Sequence, residues 1–336
     1  MVDRRSDSPG TGLVGIVVIG RNEGARLERC LSSVIGAYPV VYVDSGSTDN
    51  SVKVATAMGA QVVTLDGKTP FTAARARNAG FQHLRTISDD LRYVQFLDGD
   101  CELLEGYLGK AVRFMEEHLD VAALCGRRME RFPKASIFNE MCHREWNTPV
   151  GEAKSCGGDS VFRMSAFEEV GGFRSDQIAH EEPELCSRLR RAGHRIWRLE
   201  IGMSLHDAGM TKVSQFYSRS RRAGFGISQY MANGSPGFRD DGSNIVIRAL
   251  GWAVMLPMIA LSAIWLFGPT ALLLLLIYPI QIIRYSMKLI SKEYQLIPAL
   301  KVATLSMIGK FAEAHGAVEY IVKKSLRKEM QGIFYK

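Results

Sequence analysis

Apolar runs and helix-period segments alternate through the first hundred residues. Residues 14–19 are continuously apolar and largely β-branched, the pattern of a strand buried on both faces. Helical spacing follows at Leu27, Cys30, Leu31 and Val34. Residues 40–43 read as a second strand, after which Thr48 or Asp49 can cap a helix over 51–58. Residues 62–65 predict a third strand, 73–84 a third helix and 93–97 a fourth strand. Strands alternating with helices imply parallel βαβ units and a doubly wound α/β sheet.

The fourth strand stops in Asp98-Gly99-Asp100. Strand side chains alternate faces, so carboxylates at i and i+2 point to one side and can hold one divalent cation. The intervening glycine clears the approach, at the carboxyl edge where α/β sheets bind ligands. Asp-Gly is equally ordinary turn chemistry, and the triplet alone leaves both readings open.

From about residue 120 to 197 the pattern is mixed. Residues 121–125 read as a strand, 155–162 carry Gly157-Gly158, and Gly171-Gly172-Phe173 makes a tight turn. Pro183 suits the first turn of a helix whose body, 185–192, stops at Gly193. Acidic residues at a helix start are favoured by its dipole. Capping explains one of Glu181, Glu182 and Glu184 but does not need all three.

Residues 249–283 contain no Asp, Glu, Lys, Arg or His. A single helix of that length would be about 52 Å long, against about 30 Å of hydrocarbon. Gly268-Pro269 breaks the run, predicting two short helices, 249–267 and 270–283, in a hairpin that spans the bilayer or re-enters it. The competing reading is a buried helix pair of a soluble protein. Arg248 before the hairpin, with Arg284, Lys288 and Lys292 after it, puts both ends in the cytoplasm by the positive-inside rule. Residues 296–322 keep apolar spacing at Leu300, Ala303, Met307, Phe311, Ala314, Val318 and Ile321. Lys301, Lys310, Glu313 and Glu319 interrupt it, as in an interfacial helix. Lys323, Lys324 and Lys328 then suit anionic headgroups.

Composition sharpens this division. The 336 residues carry a formal charge of +7, of which +6 lies from Arg284 onward, where ten Lys/Arg face four Asp/Glu. The basic excess belongs to the tail, so the charge gives no case for nucleic acid. Six scattered cysteines without metal-like spacing fit a reducing compartment and buried thiols. Residues 1–12 are polar and lack an apolar signal core, so no export of the N-terminal part is expected.

Five motifs follow one another in order. They are Val17-Val18-Ile19-Gly20-Arg21-Asn22-Glu23, Val43-Asp44-Ser45-Gly46-Ser47-Thr48-Asp49, Ala74-Arg75-Ala76-Arg77-Asn78-Ala79-Gly80, Asp98-Gly99-Asp100 and Glu181-Glu182-Pro183-Glu184-Leu185. Together they resemble the family 2 glycosyltransferases of GT-A fold, over about residues 14–226. The resemblance implies a nucleotide-diphosphate sugar donor, Mg²⁺ or Mn²⁺ as cofactor, and Arg21, Glu23, Asp44, Arg77, Asn78, Asp98 and Arg222 about the nucleotide. Asp44 would accept a hydrogen bond from the base, an Asx-turn being the alternative. Arg75 and Arg77 could otherwise be a solvated helix face.

By the same resemblance Asp98 and Asp100 are the metal-site pair. Asp100 is then the direct ligand, Asp98 lies nearer the ribose or a metal-bound water, and His206 is a further ligand or a structural residue. Glu182 is the general base, with Glu181 the runner-up, because Glu stands where the family usually has Asp. Asp159 could bind a sugar hydroxyl or belong to a turn. Arg219, Arg221 and Arg222 would close over the diphosphate or meet lipid headgroups. The Gln-x-x-Arg-Trp motif of processive synthases is absent, favouring single addition.

The expected organisation is a polar tail (1–12), a GT-A domain (13–235), a linker (236–248), the hairpin (249–283) and basic amphipathic helices (284–336). The expected activity is an inverting, metal-dependent transfer from a UDP-sugar, favoured over a GDP-sugar. Its acceptor is a lipid-linked saccharide or glycan at the cytoplasmic face of the inner membrane, in envelope or exopolysaccharide assembly. A sugar nucleotidyltransferase would need a lysine-containing glycine loop after the first strand, which Gly20-Arg21-Asn22-Glu23 is not. A catalytically silent membrane scaffold would predict an incomplete acidic set.

Overall fold

A computed structural model describes residues 11–233 and 242–326. The polar tail to residue 10, the last two residues of the expected GT-A domain with 236–241 of the linker, and the basic end from 327 lie outside the described residues. Two compact units result, one comprising the chain to Phe132 with Cys142–Ala208, the other Pro133–Met141 with the chain from Gly209.

The first unit opens with β1 (Val14–Gly20), α1 (Ala25–Ser32), β2 (Val40–Asp44), α2 (Ser51–Ala57), β3 (Gln61–Thr64), α3 (Ala73–Ile87) and β4 (Tyr93–Asp98). It continues through β5 (Cys101–Leu103), α4 (Tyr107–Glu117), β6 (Val121–Glu130), α5 (Ile137–Glu145, which runs across the division), β7 (Gly151–Ala153) and β8 (Ser160–Arg163). It ends with α6 (Met164–Glu169), α7 (Glu181–Arg191) and β9 (Arg195–His206). The sheet order is β3-β2-β1-β4-β8-β6-β9-β5, with β7 on β9.

β1 and β2 are buried along their whole lengths, which is why they read as unbroken apolar runs. β1 to β4 pair in parallel, whereas β8 runs antiparallel between β4 and β6, so the sheet is mixed. Register sets Gly20 opposite Asp44 and Ile19 opposite Asp98. Two carboxylates therefore stand at the carboxyl ends of the strands on either side of β1, where chain order reverses and α/β sheets open a ligand crevice.

The second unit contains α8 (Val213–Ala232), α9 (Ser243–Leu250), a π-turn (Gly251–Met255), α10 (Leu256–Phe267), a 3₁₀ stretch (Gly268–Leu276), α11 (Ile277–Ile290) and α12 (Leu296–Ser325). The sequence places 209–235 with the catalytic domain, but α8 packs along α12. Glycines let the two backbones touch: a Cβ on Gly224 would lie 2.0 Å from the Glu313 carbonyl oxygen, and one on Gly316 1.9 Å from that of Arg221. Arg221 also pairs with Glu319 at 2.6 Å. Gly224→Leu should therefore destabilise this helix pair by at least the ~1–3 kcal/mol typical of overpacking. The readout is a lower thermal midpoint of the detergent-purified protein.

The segment Ser243–Ile290 is long and apolar enough to cross a membrane, and only 11% of its most apolar 18 residues are buried. A soluble core helix would hide most of them. Gly268, at φ 63° and ψ −162°, ends α10 and folds the 3₁₀ stretch back against it. A 3₁₀ helix rises about 2.0 Å per residue, so its nine residues plus 277–283 cover about 28 Å. That equals the reach of residues 249–267 as α-helix, about 28 Å. The shorter arm is thus stretched to match the longer. Trp265 is 92% exposed and Leu266 80%, facing outward from the hairpin tip. α12 is one 30-residue helix, burying Val302, Ala303 and Ala312 and exposing Leu300, Phe311, Val318 and Ile321.

Candidate active site

Asp98 is the hub of a charged cluster in the first unit. Its Oδ1 accepts from Arg77 Nη2 at 2.9 Å and its Oδ2 from Arg128 Nη2 at 3.2 Å. Burial pushes the Asp98 carboxyl up, but the two guanidinium groups outweigh it and hold the carboxyl below the usual carboxylate range. Asp159, fully buried, accepts from the Asp98 backbone N–H at 3.1 Å and from Ser204 Oγ at 2.6 Å, and pairs with Arg128 at 3.3 Å. It therefore braces the end of β4. Arg128 is itself half-buried; Asp159, Cys101 and Asp98 hold its charge against the desolvation that opposes it.

Arg77 connects Asp98 to the start of α7. Its Nη1 lies 2.7 Å from Glu181 and 3.2 Å from Glu182. The carboxyl of Glu182 is pushed up to about 7, first by desolvation and then by the Glu181 charge, with Arg77 opposing. Such a group changes protonation near neutrality, where general-base catalysis is most efficient. α7 starts from His180 at φ 62°, a left-handed conformation that is rare away from glycine and that clusters at functional sites. A Cβ on Gly158 would lie 2.5 Å from Arg77 Nη2, 3.0 Å from Asp98 Oδ2 and 3.1 Å from Glu182 Oε1. Gly158 keeps this cluster open.

On the other side of Asp98, Asp100 Oδ1 lies 3.6 Å from His206 Nε2. Glu130 Oε2, 2.9 Å from His206 Nδ1, fixes the ring and directs Nε2 toward Asp100. Asp100, Cys101 and His206 offer ligand atoms within 4.8 Å of one another. Because each Asp98 oxygen carries an arginine, Asp100 and His206 are the donors suited to a divalent cation here. The carboxylate favours Mg²⁺ or Mn²⁺ and the imidazole favours Mn²⁺ of the two.

The other predicted residues are placed as follows. Asp44 sits at the crevice, but its carboxylate accepts from Tyr42 Oη at 3.0 Å and from the N–H groups of Gly46 and Ser47 at 3.0 and 2.9 Å, an Asx-type turn. Asn78 hydrogen-bonds Phe173 and Ser175, holding the chain that leads into α7, and Glu23 pairs with Arg26 at 2.7 Å. Arg21 places its guanidinium 5.6 Å from the Phe71 ring centroid. Arg219, Arg221 and Arg222 lie on α8 of the second unit. Arg128, Glu130 and Trp146 are members of the site that sequence reasoning passes over. The one signal was two arginines and a glutamate inside an otherwise apolar strand.

Residues 15–170 match the sequence model of Glycosyl transferase family 2. The chain is 28% identical over 203 residues to succinoglycan biosynthesis protein ExoA of Rhizobium meliloti, covering 54% of this chain and 59% of that one. It is 21% identical over 190 residues to O-antigen chain rhamnosyltransferase WbaN of Salmonella anatum, covering 53% and 59%. The match thus spans about three fifths of the length of these curated relatives. Among solved structures, the mannosyltransferase PcManGT from Pyrobaculum calidifontis, in complex with GDP-Man and Mn²⁺, superposes with a TM-score of 0.61 at 16% identity over 93% of this chain and 88% of that chain. S. aureus TarS 1-349 gives 0.51 at 14% identity over 95% and 93%. Residues 15–170 are thus similar to the family 2 glycosyltransferases, on a mixed α/β sheet of GT-A-like architecture that is followed by a long apolar segment.

Proposed function

We propose that the protein is an inverting glycosyltransferase anchored at the cytoplasmic face of the inner membrane, moving one sugar from a UDP-sugar, in preference to a GDP-sugar, to a lipid-linked saccharide. The observation that carries this reading is the pair of sites flanking Asp98: a carboxyl tuned to about 7 on one side and an Asp100–His206 donor pair on the other. Glu182 takes the proton of the acceptor hydroxyl while that oxygen attacks the anomeric carbon from the face opposite the diphosphate, inverting it in a single displacement. Arg77 keeps Glu181 and Glu182 in register with Asp98. A bound Mg²⁺ or Mn²⁺, held by Asp100 and His206, would supply Lewis-acid stabilisation of the charge developing on the departing diphosphate. Asp44, oriented by its turn, reads the imide N–H of the base.

The outward apolar hairpin supports the membrane anchor, and a catalytic unit tethered beside a bilayer favours an acceptor drawn from it. The test of the anchor is carbonate extraction of membranes from cells expressing the chain. Full-length protein should stay in the pellet, whereas a chain deleted of residues 249–283 should lose that retention.

A further inference from the structure

The turn after α5 brings one more aromatic side chain to the Asp100–His206 corner. Trp146 stands perpendicular to the His206 ring with centroids 4.6 Å apart, and the Arg128 guanidinium lies 4.8 Å from the indole centroid. The side chain is half-buried, and the residues after it, to Val150, are exposed. Its backbone is held from beneath. Trp146 N–H donates to the Cys142 carbonyl at 3.2 Å. Arg198, only 3% exposed, donates to the Trp146 carbonyl at 2.9 Å and to the carbonyl and hydroxyl of Thr148. Burying a guanidinium is costly, and burial lowers the pKa of Arg198. What that arginine secures is the position of an exposed turn and the indole it carries.

We propose that Trp146 is the platform on which a pyranose ring of the acceptor rests, so that the acceptor is a saccharide and not a bare lipid phosphate. This rests on the glycosyltransferase reading above. The C–H groups on the apolar face of a pyranose are weakly electropositive and meet the negative face of an aromatic ring, and indole offers that face at small ordering cost. Trp146 hangs from the connection between β6 and β7, in the half of the sheet beyond β4. The crevice at the carboxyl ends of β1, β2 and β4, with Asp44, belongs to the opposite half. The indole thus meets the reacting corner from the acceptor's side. Arg198 is a positioning residue for it.

The test uses the full-length protein in lipid nanodiscs, as wild type, Trp146→Ala and Trp146→Phe. Donors are UDP-glucose, UDP-galactose and GDP-mannose; acceptors are decyl β-D-glucopyranoside, decyl β-D-galactopyranoside and decyl phosphate. Trp146→Ala should raise KM for the decyl glycosides at least tenfold, a far larger factor than any change in donor KM or in the half-saturating Mn²⁺ concentration; Trp146→Phe should restore most of the loss. Saturation-transfer NMR with methyl β-D-glucopyranoside and methyl β-D-galactopyranoside should show ring-proton signals that vanish in Trp146→Ala. That measurement decides the matter if wild type hydrolyses a donor without transferring it. Transfer to decyl phosphate equal to that to the glycosides, a parallel rise in donor KM or Mn²⁺ requirement, unchanged kinetics in Trp146→Ala, or no glycoside binding by wild type would each overturn the platform. Failure of wild type to hydrolyse any donor would instead count against the glycosyltransferase reading.

Discussion

Glu182→Gln is expected to lower sugar transfer by about 10²–10⁴-fold, the range over which positioned acid–base groups act, and to leave the protein folded. Glutamine keeps the size and the hydrogen-bonding reach of the side chain but cannot take a proton. Because the Glu182 carboxyl sits at about 7, wild-type kcat/KM should fall as pH drops below 7, where the base becomes protonated. The stability sign is opposite. A carboxyl raised from its usual 4.5 to about 7 binds more protons in the folded state over that window, so folding stability falls as pH rises from 4.5 to 7. The neutral glutamine removes Glu182's contribution to that decline. Thermal midpoints measured from pH 5 to 8 should therefore be flatter for Glu182→Gln than for wild type. A retained rate in Glu182→Gln with a lost rate in Glu181→Gln would move the base by one residue.

The second large effect belongs to Asp100. Asp100→Ala should abolish transfer and remove the response to added Mn²⁺, because His206 alone is left to hold the cation. The companion Glu130→Gln should weaken Mn²⁺ binding by about 10–100-fold, the usual loss when the group orienting a metal-binding imidazole is changed. Both are read by calorimetric Mn²⁺ titration beside the transfer assay. Wild-type transfer that survives thorough chelation would remove the metal from the account.

The parallel half of the sheet was legible because β1, β2 and β4 are buried on both faces and advertise themselves as apolar runs ending in Asp44 and Asp98. The acidic start of α7 was legible because capping needs fewer carboxylates than stand there. Partners distant in sequence were not. Nothing near Asp98 announces Arg128, Asp159 stood out only as a sugar-binding or turn residue and not as a partner of Asp98, and Glu130 meets His206 only because β6 and β9 pair with residues 130 and 206 in register. The loyalty of α8 to α12 depends on Gly224 and Gly316, residues whose local signal weakens a helix. A leucine-rich run also reads as α-helix, so the 3₁₀ stretch from Gly268 to Leu276 gave no sign of itself.

The most direct test of the central claim is release of nucleoside diphosphate when the purified protein, with Mn²⁺, meets UDP- and GDP-sugars and lipid-linked saccharides extracted from bacterial membranes. One donor should release its nucleoside diphosphate in step with sugar appearing on the lipid fraction, at a rate lost in Asp100→Ala and Glu182→Gln. Release that is unaffected by both substitutions, or no release from any donor, would contradict the account.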